Sequence, residues 1–321
     1  MFSRFIKSRS LFILASLLFI TSALTACGSK STTESGKSDG PTTTIEHAMG
    51  KTEIKGTPKK VVILTNEGTE ALLALGVKPV GAVQSFTGKP WYDHIKGQMD
   101  GVKVVGLESE PSLETIASLK PDLIIGNKMR QEKVYEQLKA IAPTVFSESL
   151  RGDWKENFKF YAKVLNKESE GQKILAQYDE KISQLKGKLG DKLKSKVSMV
   201  RFVTGDVRIY HLDSFSGVIL KDLGFARPES QNKNDLAERG VGKERIPAMD
   251  GDYLFYFTYE TGDNKATDLE KEWLKDPLFQ GLNAVKNKKA FKVSDTIWNT
   301  AGGVLAANLM VDDVAKFFEV K

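Results

Sequence analysis

The chain has 321 residues, of which 40% are hydrophobic and 27% charged, and its formal net charge is +6. Three of its 47 basic residues, Arg4, Lys7 and Arg9, lie in an N-terminal segment that we expect to be removed; this leaves 44 basic against 41 acidic residues, or +3. This near balance, without any block of basic residues, argues against a nucleic-acid-binding protein. The single cysteine excludes internal disulfides, so the fold must depend on its hydrophobic core.

The N-terminal residues predict export followed by attachment to lipid. The three basic side chains precede an apolar stretch at residues 11–20, the order found in secretory signal peptides. Leu24-Thr25-Ala26-Cys27 then forms a lipobox, whose cysteine carries a diacylglycerol. A transmembrane anchor fits less well, because the apolar stretch is shorter than the ~20 residues that span a bilayer. We therefore predict a signal peptide at residues 1–26 and a lipid on Cys27.

The next part of the chain predicts a tether followed by an α/β lobe. Residues 27–44 contain Gly, Ser, Thr and charged residues but no large apolar side chain before Ile45, which is typical of a flexible tether. Residues 45–153 then alternate short apolar strands with amphipathic helices, a pattern that indicates a mainly parallel sheet covered on both faces. The strands are expected near 61–64, 80–83, 102–105, 123–126 and 144–146, and the helices at 67–75, from Ser112 onward and at 131–141.

The second half of the mature chain predicts a helical segment and another α/β lobe. Residues 154–193 lack proline and place apolar residues at helical spacing, which indicates one short helix and one long helix. The long helix is either an ordinary surface helix or, given its central position, a bridge between lobes. Residues 194–321 resume the strand signals, at 197–203, 207–210 and 253–257, and end in an amphipathic helix at 302–318.

A weak internal repeat relates the two lobes. Residues 114–125 and 244–255 each run from a glutamate through an isoleucine two positions later to an aspartate and an apolar strand. Coincidence between two generic helix-to-strand units is the alternative explanation. The paired Glu114 and Glu244 are the least generic part of the match, since neither a core nor a turn requires a glutamate there.

Arginines stand at positions that favour a binding site. Arg201 interrupts an apolar strand, and a charged group in such a strand needs a partner. Arg208 alternates with Tyr210, so both lie on one face of their strand. Arg130 follows a buried strand at its carboxyl end, where open α/β sheets place ligands. The alternative for each arginine is a surface position or a structural ion pair.

Aromatic residues add weaker candidates, and signatures of catalysis are absent. Tyr256 and Tyr259 lie on and after an apolar strand, and Trp298-Asn299 forms another polar-aromatic pair. Arginines and aromatics around a cleft suit an anionic, partly apolar ligand. The chain contains neither a nucleophile elbow, a P-loop, a His-Glu-x-x-His motif nor a complete dinucleotide fingerprint, so we predict that it is not an enzyme.

The lipobox, residues 112–126, the mid-chain helix, and residues 276–289 with Trp298 together resemble the siderophore-binding lipoproteins of Gram-positive ABC importers. Within that family the chain is most similar to receptors for ferric schizokinen or arthrobactin and for staphyloferrin A. The resemblance implies two Rossmann-like lobes joined by one long α-helix, with the ligand cleft between them. It also implies a monomer held on the outer face of a Gram-positive cell membrane, with an ABC permease as its partner and neither a metal site nor a cofactor of its own.

The resemblance further assigns roles to particular residues. Arg130, Arg201, Arg208 and His211 correspond to the basic pocket that holds anionic ferric complexes. Glu114 and Glu244 correspond to the carboxylates, one per lobe, that dock onto the permease. The implied ligand is a citrate-hydroxamate ferric siderophore such as schizokinen or arthrobactin. Receptors for haem, cobalamin or a carboxylate siderophore are the alternatives, and an exported hydrolase or a reductase is a more distant one.

Overall fold

Within residues 40–320, which the computed structural model describes, fourteen strands and eleven α-helices succeed one another. The strands are β1 (Thr42–His47), β2 (Gly50–Lys55), β3 (Val61–Ile63), β4 (Gly81–Ala82), β5 (Lys103–Val104), β6 (Gly106–Leu107), β7 (Glu110–Pro111), β8 (Leu123–Asn127), β9 (Thr144–Ser147), β10 (Val197–Val203), β11 (Asp206–Tyr210), β12 (Ala237–Glu238), β13 (Tyr253–Tyr259) and β14 (Ala290–Lys292). The helices are α1 (Asn66–Ala74), α2 (Leu113–Ser118), α3 (Lys128–Gln131), α4 (Tyr135–Lys139), α5 (Trp154–Val164), α6 (Glu168–Leu189), α7 (Phe215–Leu223), α8 (Lys265–Leu274), α9 (Pro277–Gln280), α10 (Asn283–Lys286) and α11 (Val304–Phe317).

The first sheet has the order β5-β4-β3-β8-β9, and all its strand pairs are parallel. Successive residues of its central strands enter two different hydrophobic clusters: Ile63 and Ile125 pack on one side, and Val62 and Ile124 on the other. A sheet that is covered on both faces needs apolar residues at every position, which is why these strands appear in the sequence as continuous apolar runs. The sheet predicted for this lobe is therefore confirmed.

The second sheet has the order β12-β11-β10-β13-β14 and is mixed. Strands β10, β13 and β14 are parallel, whereas β11 pairs antiparallel with β10 and with β12. The reversal follows from the two-residue connection Thr204-Gly205, since so short a loop can only form a hairpin. Gly205 adopts φ 72°, a conformation that glycine accepts without steric cost.

The mid-chain segment forms the two helices that the sequence predicts. Helix α6 has 22 residues, which corresponds to about 33 Å. Its apolar face, which includes Leu175, Tyr178 and Ile182, is buried against α5, α7 and α11. The helix follows the first sheet in the chain and precedes the second. The fold is thus α/β, with two Rossmann-like lobes joined by one long helix.

The N-terminal boundary differs slightly from the predicted tether. Strand β1 begins at Thr42, inside the segment 27–44, and forms a hairpin with β2. The hairpin is held on the first sheet by Thr52, whose hydroxyl donates to the carbonyl of Thr144 at 2.9 Å. The backbone hydrogen bonds between β1 and β2 therefore hold Thr42–Thr44 in a strand, although the polar composition of these residues alone predicts a coil. The signal peptide and Cys27 lie outside the described residues, and the other lobe boundaries stay a prediction.

The topology directs the carboxyl ends of both sheets towards a common cleft. Helix α1 follows β3 and begins at an N-cap, Thr65, whose hydroxyl accepts from the amide of Gly68 at 3.0 Å. Strands β10 and β13 end at Val203 and Tyr259, both of which line the same cavity as Glu67 of α1. None of the helices in residues 40–320 combines the length and the apolar character that crossing a bilayer requires.

Candidate ligand-binding cleft

A cavity of about 640 Å³ lies between the two lobes. The first lobe contributes Glu67, Glu108 and Arg130 to its wall, and the second contributes Arg208 and Tyr259 among others. Its position at the carboxyl ends of the strands is the one expected for a ligand in an open α/β fold. Its volume suits a small molecule rather than a macromolecule.

Arg201 is a buried member of the cavity wall that is held by a carboxylate. Its Nε and one terminal nitrogen donate to the two carboxylate oxygens of Asp295, at 2.7 and 3.1 Å, and its other terminal nitrogen donates to Tyr210 Oη at 3.2 Å. Burial acts against the charge of Arg201, but Asp295 and Tyr210 more than offset it, so the pKa of the guanidinium is raised. The guanidinium also lies 5.1 Å from the centre of the Tyr259 ring. Arg201 is therefore both an ion-pair partner and a cavity residue.

Arg130 and Arg208 are positioned differently from Arg201. Arg130 donates through Nε to Glu108 at 2.9 Å, and Arg208 donates through Nε to Asp206 at 2.5 Å. A guanidinium carries five N–H donors, so a bond through Nε alone leaves the terminal nitrogens for another acceptor. These two carboxylates fix the stems of the arginines and leave the ends of both side chains for an anionic ligand.

Two further arginines line the cavity, and the sequence analysis missed both. Arg151 follows the loop after β9, and Arg239 follows β12; both are exposed. Within residues 40–320, neither forms an ion pair or a side-chain hydrogen bond. Each is followed by a glycine, but an Arg-Gly pair in a loop is too common a signal to predict a site. They add positive charge to the cleft without a hydrogen-bonded carboxylate of their own within the described chain.

Buried carboxyl groups lie beside these arginines. Glu67 is 5% exposed and accepts a hydrogen bond from Tyr161 Oη at 3.1 Å. Burial, together with the neighbouring Glu108 and Glu70, raises the pKa of Glu67 well above its usual value. Glu108, by contrast, accepts from Arg130 and from the backbone and side-chain nitrogens of Asn66, all at 2.9 Å. Glu108 thus organises the first lobe's arginine, whereas Glu67 favours its neutral form.

The lobes touch each other beside the cavity. The rings of Phe86 and Tyr259, one from each lobe, meet edge to face with centroids 6.5 Å apart. Next to this pair, the hydroxyl oxygens of Thr87 and Thr296 are 2.8 Å apart. Phe86 is 38% exposed, so this aromatic pair presents an apolar edge to a ligand in the cavity.

The structure separates the remaining candidates. Asn299 lines the cavity with the arginines and Tyr259, but three predicted residues do not. Tyr256 lies on the opposite face of β13, where it packs against Phe202. Trp298 is completely buried and donates from Nε1 to a carboxylate oxygen of Asp313 at 3.0 Å. His211 is 1% exposed and pairs through Nδ1 with Asp235.

The residues that the resemblance assigns to permease docking lie on the surface. Glu114 is in the first turn of α2, and Glu244 is in the first turn of a 3₁₀ segment at Lys243–Met249. Both are exposed, and neither forms an ion pair within the described part of the chain. Both of these carboxylates are thus available to a partner at the surface of their lobes.

Two α/β lobes around a polar, arginine-lined cavity define a substrate-binding protein. The chain belongs to the periplasmic binding protein family, whose model matches residues 61–295. It is a binding protein of the ABC-transporter type rather than an enzyme, as the sequence analysis predicted. Across residues 40–320, no group of three or more His, Asp or Glu side chains could hold a metal ion.

The most informative relatives share both sequence and fold with this chain. The probable siderophore-binding lipoprotein YfiY of Bacillus subtilis (strain 168) is 51% identical over 316 residues, which cover 94% of this chain and 97% of that protein. The Fe(3+)-citrate-binding protein YfmC of the same organism is 33% identical and covers 95% of each chain. The crystal structure of Staphylococcus aureus SirA complexed with staphyloferrin B aligns with a TM-score of 0.81 and 38% identity, over 87% of this chain and 99% of that one. The family resemblance seen in the sequence is thereby confirmed.

Proposed function

We propose that this protein captures a ferric siderophore in the cleft between its lobes and delivers it to an ABC permease for iron uptake. The observation that carries the proposal is the cavity itself, whose wall contains five arginines from both lobes. A ferric siderophore is a compact anionic chelate with apolar stretches. The arginines supply donors for its oxygens, and the Phe86–Tyr259 pair supplies an apolar contact.

The charges of the cleft favour a weakly anionic chelate. Arg130, Arg201 and Arg208 each form an ion pair with a carboxylate, so within the described chain Arg151 and Arg239 are the arginines of the wall that form none. A hydroxamate carries one negative charge, whereas a catecholate carries two, so a tris-catecholate iron complex is much more anionic than a citrate-hydroxamate one. We therefore propose a citrate-hydroxamate siderophore, such as schizokinen or arthrobactin, as the ligand.

A carboxylate siderophore is the second candidate. It is favoured by the similarity to SirA, whose structure contains staphyloferrin B. The terminal nitrogens of Arg130 and Arg208 could pair with additional carboxylates as readily as with hydroxamate oxygens. Haem is a weaker candidate, because the cavity wall in the described chain carries five arginines, which suit an anionic chelate, although Tyr259 and Met129 in the same wall belong to residue types that ligate haem iron.

Delivery of the siderophore requires contact with the permease and a position at the cell membrane. Glu114 and Glu244 dock one lobe each onto basic side chains of the permease. Cys27 carries the lipid that holds the protein on the outer face of the cell membrane. The protein acts as a monomer and has no resident cofactor, since iron arrives as cargo within the siderophore.

The proposal is tested by titrating the mature chain, from residue 27 onward and with Cys27→Ser, with a panel of ferric complexes. The panel comprises a citrate-hydroxamate siderophore, staphyloferrin B, a tris-catecholate and ferric citrate, with each iron-free form as a control. We expect tryptophan fluorescence to respond at the lowest concentration to the ferric citrate-hydroxamate. A tighter response to staphyloferrin B would favour the second candidate. Absence of any response, or a shifted haem absorbance band on mixing with haem, would contradict the function.

A further inference from the structure

The second lobe and the adjoining end of the mid-chain helical segment carry nine lysines that do not line the cleft. They lie where strands β10, β13 and β14 begin and where helices α6 and α7 end. Eight of them are exposed and one is half-buried. The members of this lysine surface are Lys186, Lys188, Lys192, Lys194, Lys196, Lys221, Lys286, Lys288 and Lys289.

Several of these lysines contact one pair of packed aromatic residues, Tyr253 and Phe318. Lys192 donates from Nζ to the carbonyl of Phe318 at 2.6 Å, and the ring of Phe318 lies 4.2 Å from that of Tyr253. The ammonium group of Lys289 lies 4.7 Å from the centre of the same Tyr253 ring. Lys196 joins them because its carbonyl accepts from the amide of Tyr253. Lysines distant in sequence therefore share one face of the lobe.

Lys186 and Lys221 adjoin this group near Gly224, where helix α7 ends. A side chain at Gly224 would meet the ammonium group of Lys186 at 3.3 Å, and Gly224 ends the helix whose last turn contains Lys221. The next residue, Phe225, packs on Phe318 with ring centroids 4.7 Å apart. The lysine surface thus extends from the end of α6, across α7, to the start of β14.

Little negative charge balances this surface. Its acidic residues are Asp191, Asp250, Asp252 and Glu319, so nine lysines face four carboxylates, a difference of five. Asp191 pairs with Lys194, while Asp252 accepts from the backbone amide of Lys196 rather than from its side chain. In the part of the chain that the structure describes, eight of the nine lysines form no ion pair, and six of these eight also make no side-chain hydrogen bond or cation–π contact. The surface contains no arginine.

The lysine surface faces away from the cleft. Strand β10 runs from this surface to the cavity, and its seven residues span about 23 Å. The described chain begins at Gly40, which lies beside Gly56. The carbonyl of Gly56 accepts a hydrogen bond from the side chain of Asn166, which just precedes α6, so the described chain begins near the first residues of α6. The far end of α6 adjoins the lysines about 33 Å away. The 13 residues from Cys27 to Gly40 can reach at most about 45 Å, so a lipid on Cys27 and the lysine surface can meet the same membrane.

We propose that the lysine surface docks this protein onto an anionic phospholipid membrane. Lysine is a compact, strongly hydrated point charge, which suits a diffuse layer of phosphate headgroups, whereas arginine is favoured where a fixed carboxylate or phosphate is bound in two places. The proposed permease contacts use carboxylates at the opposite edge of the sheets, so docking onto the membrane and docking onto the permease are alternative orientations of the same chain. The inference rests on the membrane location in the proposed function and adds a second, electrostatic contact to the lipid anchor.

The test is sedimentation of the mature Cys27→Ser chain with vesicles of phosphatidylglycerol or of phosphatidylcholine. We expect binding to phosphatidylglycerol alone, at about 0.05 M salt, and loss of that binding at about 0.5 M. The variant chain carries glutamine at the six lysines whose side chains form no ion pair, hydrogen bond or cation–π contact in the described chain: Lys186, Lys188, Lys196, Lys221, Lys286 and Lys288. We expect it to bind phosphatidylglycerol vesicles at least about tenfold more weakly.

A matched control changes the net charge equally but on the first lobe and α5. It carries glutamine at six exposed lysines without ion pairs: Lys59, Lys60, Lys78, Lys103, Lys133 and Lys163. Equal weakening in the control would overturn the proposal, since it would show a general charge effect. Binding to soluble polyphosphate without binding to vesicles would also overturn it and assign the surface to a polyanion. Fluorescence titration with the ferric siderophores reports on the cleft separately, so loss of ligand binding would count only against the proposed function.

Discussion

Individual arginines of the cleft differ in what their removal leaves behind. Arg239→Gln removes an exposed guanidinium that has no partner in residues 40–320, so folding should be unaffected. Arg201→Gln leaves the carboxylate of Asp295, whose side chain is 5% exposed, without its cation. Breaking such a buried pair costs about 3–5 kcal/mol of stability. Loss of a charge-assisted hydrogen bond to the ligand costs about 1.5–3 kcal/mol, or roughly tenfold to a hundredfold in affinity.

We therefore expect Arg239→Gln to weaken siderophore binding with an unchanged unfolding midpoint, and Arg201→Gln to lower that midpoint markedly. Thermal unfolding and fluorescence titration of both variants give the two quantities. Arg245→Gln is a useful comparison, because Arg245 is exposed and pairs with Glu238 away from the cavity. Unaltered affinity in Arg239→Gln would remove Arg239 from the site.

Glu67 should make stability depend on pH. Burial raises its pKa in the folded chain, so the folded state binds a proton that the unfolded state has already released. Stability therefore falls as pH rises from about 4, near the unfolded value, up to the raised pKa. Glutamine cannot ionise. Glu67→Gln should thus gain stability relative to the unaltered chain over that interval, and the gain should level off above it.

Thermal unfolding between about pH 4 and pH 9 measures this effect. Glu132→Gln, at an exposed position, provides the comparison. A difference between Glu67→Gln and the unaltered chain that stays constant across the whole range would show that the carboxyl does not titrate in the folded state as argued.

At the scale of elements, local signals predicted the structure well wherever burial was strong. Apolar runs located β3, β8, β10 and β13, and the cap at Ser112 located the start of α2. The cavity was predictable only in part. Arg201 and Val203 lie on the same face of β10, and Val203 pairs with Tyr259 of β13, so Arg201 and Tyr259 share a face of the sheet. This pairing register depends on how the two strands come together in the folded chain. The same register turns Tyr256 away from the cavity, which the sequence could not reveal before the strand order was known.

Two short helical segments, whose first turns contain Glu114 and Glu244, carry the docking prediction. A carboxylate in a first turn is favoured by the helix dipole, typically by well under 1 kcal/mol, so capping alone is a minor role for either residue. Complementary charge would instead set the register and the rate of encounter with the permease. The double variant Glu114→Ala/Glu244→Ala should bind ferric siderophore normally in vitro yet fail to support its uptake by cells.

Uptake by cells is measured with radioactive iron supplied as the siderophore complex. The control is Glu132→Ala/Glu229→Ala, which removes one carboxylate per lobe at other positions. Normal uptake by the Glu114→Ala/Glu244→Ala protein would leave both glutamates as ordinary helix-start residues. Reduced affinity for the siderophore in vitro would also contradict a role confined to docking.

At the scale of the whole molecule, the proposed lipid attachment depends on a residue that lies outside the described part of the chain. Residues 40–320 belong to one compact unit, whereas Cys27 lies thirteen residues before its first described residue. Loss of its thiol should therefore abolish lipid attachment without changing ligand affinity or the unfolding midpoint. Cells that express the unaltered chain should incorporate labelled palmitate into it, and Cys27→Ser should incorporate none.

The lipid and the lysine surface should then contribute separately to membrane association. When the chain from residue 27 is exported behind an ordinary cleavable signal, the Cys27→Ser form should appear mostly in the medium. The fraction left on cells should be removed by salt, because a single electrostatic contact without a lipid is weak and screened. The sextuple lysine variant of the same form should leave no such fraction. Palmitate labelling that persists in Cys27→Ser would place the lipid elsewhere in the chain, and salt-resistant association of that form would require an anchor other than Cys27.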